Sequence, residues 1–193
     1  MNKQPIALLG LSAGLLTTAT PALAHTDTLL QNSLLAGISH PFTGVDHLLA
    51  MLAVGIWAAM QKGKQQLAIP ATFLILLLAG FMAALNGLQL PMVEGTIASS
   101  VLVMGLLIAG MVKLPTHFSL PLISLFALSH GFAHGSELGA ATAATFAVGF
   151  VGSSLILHLS GSVLVARLTQ MPMLVRFGGA AMALTGVGLF GSF

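Results

Sequence analysis

SHPFTGVDHLLAMLAVGIWAA, residues 39–59, decides the fold. From Val45 onward its only charged residue is Asp46, and the rest is as apolar as lipid. A run of about 20 such residues is what a helix needs to cross a hydrocarbon layer of about 30 Å. Yet its opening carries His40, Asp46 and His47. Polar groups at membrane depth must be paired or hydrated, so they mark a use rather than a filler. Pro41 and Gly44 lie among them and predict a bend or an unwound turn near that end. Freed carbonyls there are tolerated only beside a cavity. In a continuous helix His40, Gly44, His47 and Met51 share one face, at i, i+4, i+7 and i+11. Asp46 is expected either to fix the His47 imidazole or to be a ligand itself. Met51 is the one methionine carried as a soft ligand; the others read as packing.

Composition extends this reading to the whole chain. Of 193 residues, 56% are hydrophobic and 5% charged, against about 25% charged in a soluble domain. With a mean hydropathy of +1.02, such a chain cannot cover a water-facing surface. There is no cysteine, which excludes disulfides, thiolate zinc sites and iron–sulfur clusters. The 22 glycines allow close approach of packed membrane helices. No basic stripe exists, so nucleic-acid binding is excluded.

Residues 1–24, MNKQPIALLGLSAGLLTTATPALA, read as a secretory signal. Lys3 supplies the positive start, residues 6–16 the apolar core, and Ala22-Leu23-Ala24 the cleavage motif. Cleavage leaves one domain, 25–193, whose N-terminus lies outside the cytoplasm. It also makes His25 the terminal residue. Its α-amine and imidazole, with Asp27 two residues on, form a candidate capture site for a metal.

After the signal the fold expected is all-α: a polytopic membrane bundle of six transmembrane helices. The spans run over residues 43–60, 67–88, 92–112, 116–135, 140–167 and 173–193, with an amphipathic stretch at 29–39 before the first. The breaks QKGKQQ, QLP, KLP, GSELG and LTQMP are short and rich in polar, Gly or Pro residues. With the N-terminus outside, the inner connectors hold Lys62, Lys64, Lys113, Arg167 and Arg176, every basic residue after the signal. The positive-inside rule gives the same orientation independently, both termini outside the cytoplasm.

In that arrangement the acids and most histidines gather on the outer side. The second cluster is HGFAHGSE, residues 130–137, where His130, His134 and Glu137 share a face at i, i+4 and i+7. Glu94 opens the third span. His158 lies within the fifth, either bonding a neighbouring helix or binding an ion, and His117 is expected in a solvated inner loop. Imidazoles and carboxylates without thiols suit divalent nickel, cobalt, copper or zinc. The H-E-x-x-H order of a metalloprotease is absent, and so is a phosphate-binding GxxxxGK[ST] loop.

These residues carry a resemblance. HPFTGVDHLLAMLAVGIWAA looks like the first-span signature of the HupE/UreJ family of nickel permeases; VEGTIASSVLVMGLLIAG, FALSHGFAHGSEL and LHLSG resemble its third, fourth and fifth spans. The resemblance covers the chain from about residue 35 to its end. It implies a small polytopic protein of the cytoplasmic membrane that moves nickel inward for hydrogenase or urease maturation. It implies no cofactor, and His40, Asp46, His47, His130, His134 and Glu137 as functional positions, with Glu94 a further one. Three alternatives stay open: transport of another divalent metal, an intramembrane metalloenzyme, and a subunit that binds metal without moving it.

Overall fold

In hydrocarbon no water satisfies backbone N–H and C=O groups, so apolar runs must close their hydrogen bonds internally, as helices. The computed structural model describes residues 33–138 and 143–191, with the Glu137 side chain excepted. Its elements are α1 (Ser33–Thr43), α2 (Val45–Met60), α3 (Gln65–Leu85), α4 (Val93–Ala109), α5 (Thr116–Glu137), α6 (Ala143–Arg167) and α7 (Pro172–Phe190). There is no strand among the described residues. The expected signal sequence, His25 and Asp27 lie outside them.

Helices α2 to α7 stand where the six spans are expected, with boundaries shifted by a few residues. By length and hydropathy α3, α6 and α7 can each cross a membrane, and α1 with α2 qualifies as a bent pair. Helix α4 has 17 residues and is shorter. Helix α5 has 22 residues but carries the histidine run, which lowers its hydropathy. The outer surface is apolar: Leu67, Ile75, Val148 and Leu184 expose 78, 66, 68 and 73% of their area. Lipid, not water, suits such a surface.

The first span does not continue as one helix. Pro41 is in the last turn of α1, Gly44 is extended at φ −105° and ψ 127°, and the axes turn by 82°. The anticipated bend is therefore present, and it removes the single face drawn through His40, Gly44, His47 and Met51. Met51 is instead fully buried in the apolar core.

Helix α2 is the centre of the bundle. It packs on α6, α4, α3, α1 and α7, and the consecutive residues Ala53 to Ala58 are all buried, so every side of it is covered there. A helix apolar all round belongs in such a place. The other helices pair through glycine. On α3 and α5, a Cβ added at Gly80 would strike the Leu128 carbonyl, and one at Gly131 the Leu77 carbonyl. Helices α4 and α7 meet in the same way at Gly105, Gly179 and Gly186; α2 and α6 meet at Gly55 and Gly161. Small residues let backbones touch where lipid offers no hydrophobic drive to association. The order of contacts also gives direction. Leu77 and Phe81 face Gly131 and Gly135, so α3 and α5 run alike; Leu102 and Ala109 face Gly186 and Gly179, so α4 and α7 run oppositely. A chain that reverses at every connector has both properties.

One end of the bundle is stitched by side chains. Trp57 Nε1 donates to the Val112 carbonyl at 2.9 Å, Gln65 Nε2 to that of Leu114 at 3.0 Å, and Arg176 Nε to that of Ala109 at 3.1 Å. The connectors bearing Lys62, Lys64 and Lys113 and the start of α7, which carries Arg176, therefore lie together.

Candidate functional site

The opposite end holds the histidines. The α1–α2 bend brings His40 to 6.1 Å from His47, ring centre to ring centre. From the last turns of α5, His134 stands 4.2 Å from His40 and 4.4 Å from His47, and His130 stands 5.0 Å from His47. Phe146 and Phe150 of α6 wall the group, at 5.5 and 6.0 Å from His40. Two sequence clusters far apart in the chain thus become one site.

Two of the imidazoles, His47 and His130, are held in a definite way. Asp46 Oδ1 accepts the His47 backbone N–H at 2.8 Å and lies 2.9 Å from its Nδ1. A carboxylate only accepts, so Nδ1 carries a proton, and in the neutral imidazole the lone pair is on Nε2. His130 repeats the pattern with a main-chain partner: its Nδ1 is 2.8 Å from the Phe126 carbonyl. The Nε2 atoms of His47 and His130, and both ring nitrogens of His134, are buried without a hydrogen-bond partner among the described residues. Orientation of one ring nitrogen by an outer acceptor is how metal-binding imidazoles are prepared. Of the two roles expected for Asp46, the contact made is the orienting one.

The helix ends favour a cation. Helices α1 and α5 both terminate here, with His40 and His134 in their last turns. Helix C-termini carry partial negative charge. The N-terminus of α2 opposes this, and Asp46 in its first turn offsets it. The rings meet edge to face, and among the described residues no three carboxylate or imidazole groups form a ready-made cation site. Ligation requires the rings to rotate until their Nε2 atoms converge.

The remaining candidates fall elsewhere. Glu94 is exposed in the first turn of α4, away from the histidine cluster's hydrogen bonds and ring contacts among the described residues. Glu137 ends α5, and its side chain is outside the described part, as is His25. His117 is exposed in the first turn of α5, against Phe118 at 4.4 Å, rather than in a loop. His158 is buried deeper in the bundle, with Phe73 between it and His130. Sequence reasoning missed the aromatic wall and the Phe126 carbonyl. Phe146 and Phe150, one helical turn apart, were a detectable signal; a main-chain acceptor leaves none.

The chain is similar to known proteins over most of its length. The family model described as HupE / UreJ protein matches residues 13–189. Protein HupE of Rhizobium leguminosarum bv. viciae is 41% identical over 175 residues, covering 89% of this chain and 92% of that protein. No solved structure matches the chain.

Proposed function

The chain belongs to the HupE/UreJ family, and from that premise we propose that it admits nickel through the cytoplasmic membrane, capturing the ion at the histidine cluster. The observation that carries this is the meeting of His40, His47, His130 and His134 at one end of a lipid-facing bundle, with Nε2 of His47 and His130 unbonded among the described residues. Imidazole nitrogen without thiolate suits borderline divalent ions, nickel among them.

The ion needs no chemical fuel. At a membrane potential of about 100 mV each charge gains about 2.3 kcal/mol on entry, so a divalent ion gains about 4.6. At about 1.4 kcal/mol per decade this permits accumulation on the order of a few thousand-fold. A facilitator therefore suffices. Its captured ion would supply hydrogenase or urease maturation. Initial uptake of radioactive nickel by cells with and without the protein tests the reading; equal uptake refutes it. Competition by cobalt, copper and zinc in the same assay identifies the preferred cargo.

The basic residues at the stitched end support one direction. Lys62, Lys64, Lys113, Arg167 and Arg176 face the cytoplasm, and the histidine end faces outward. With six spans after signal cleavage, reporter fusions after Lys64 and Lys113 read cytoplasmic, and a fusion at Gln89 reads external. The reverse pattern at any of these positions overturns the topology.

A further inference from the structure

Helix α6 carries a second set of polar atoms that the cluster does not use. Phe146, Phe150, Ser154 and His158 follow one another at every fourth residue, so they lie along one face. The two phenylalanines wall the outer cluster. Below them Ser154 is 0% and His158 1% exposed. Neither ring nitrogen of His158, nor Ser154 Oγ, has a hydrogen-bond partner among the described residues.

The neighbouring serines show how unusual this is. Ser153, Ser160 and Ser162 each bond a main-chain carbonyl of the preceding turn, at 3.0, 2.7 and 3.0 Å. That is the ordinary way for a serine on an apolar helix to satisfy itself. Ser154 alone of the α6 serines does not. Nor does His158 bond a neighbouring helix, the commonest use of a membrane histidine. Leaving such groups unmatched in a dry interior is costly, so something that enters must match them.

Their position says what enters. Phe73 stands edge-on to His158 at 5.2 Å and 5.8 Å from His130. The series His134, His47, His130, Phe73, His158 is thus continuous, in steps of 4.4, 5.0, 5.8 and 5.2 Å. His158 crosses α2 at Gly55, two residues before Trp57 and the stitched end. It lies between the capture cluster and the basic end.

We propose that His158 and Ser154 form a second, inner station that takes the divalent metal from the outer cluster and hands it toward the basic end. The inference rests on the transport reading. One imidazole nitrogen and one neutral hydroxyl are the ligands, and water brought with the ion fills the other positions. Such a site is weaker than the outer one, as an intermediate stop must be if the ion is to leave.

The test is the initial rate of radioactive nickel uptake into proteoliposomes, normalised to inserted protein, for wild type, His47→Ala, His158→Ala, His158→Gln and Ser154→Ala. An inner station sets the maximal rate and not capture. Both His158 variants should therefore lose at least about fivefold in maximal rate, with the half-saturating nickel concentration changed by less than about threefold. Ser154→Ala should shift the same parameter in the same direction, less strongly. A smaller loss in either His158 variant overturns the station. So does a larger rise in half-saturation, which would assign His158 to capture. Wild-type uptake no faster than protein-free vesicles refutes transport itself. Uptake that needs His47 but not His158 refutes the inner station alone.

Discussion

His47→Ala lowers nickel uptake by at least about a hundredfold at limiting metal while the protein remains in the membrane. The side chain is one of four clustered imidazoles; Asp46 holds its Nδ1 at 2.9 Å, and its Nε2 has no hydrogen-bond partner among the described residues. Loss of an outer partner costs about 10–100-fold in metal affinity or activity, and loss of the ligand itself costs more. Asp46→Asn keeps the size but removes the charge that holds the tautomer, and should fall in that 10–100-fold range. His134→Ala, which removes the ring nearest both His40 and His47, should match His47→Ala. His117→Ala, on an exposed residue at the other end of α5, should leave uptake unchanged. Normal uptake by His47→Ala or His134→Ala at low nickel would remove the cluster from the transport path.

Gly131→Val has the largest expected effect on the fold. A Cβ at Gly131 collides with the carbonyl of Leu77 and lies 2.9 Å from the Phe81 nitrogen. Leu77 is fully buried and both atoms are main chain, so no side chain can swing aside. Overpacking of a core costs about 1–3 kcal/mol and occasionally more; a backbone-to-backbone collision belongs at the upper end. Parting α3 from α5 also displaces His130 and His134, which flank the position. Gly188→Ala is the control, since a Cβ there meets nothing within 4 Å. The measurement is the temperature at which half of each purified protein stays monodisperse in detergent. The valine variant should lose ten degrees or more, on the order expected for a few kcal/mol. Equal midpoints for the two variants would contradict the close α3–α5 crossing.

The helices were legible because lipid enforces them: an apolar run between short polar breaks has one way to satisfy its backbone. Pro41 and Gly44 announced the bend. They did not announce its consequence, that His40 reaches His47 across a turn and not along a face. Which helices pair was not legible either. With 22 glycines, composition permits close contact almost anywhere, and only the folded chain selects Gly131 against Leu77 or Gly179 against Ala109. The site residues on α1, α2 and α5 could be read from their expense in an apolar setting. Ser154 could not, since a serine on a membrane helix is ordinarily satisfied by its own backbone and carries no such signal.

The break at Gly44 has a further result, for thickness. It leaves α2 with 16 residues, and α4 has 17. At 1.5 Å per residue these helices are about 24 and 26 Å long, against about 30 Å of hydrocarbon. Helix α2 is enclosed by its neighbours, so its shortness makes no mismatch with lipid, while α3 and α6, with 21 and 25 residues, are about 32 and 38 Å long and reach across the whole layer. The bundle is thus shorter along its central helix than along its rim, and an ion passing beside α2 has about 24 Å of helix to follow.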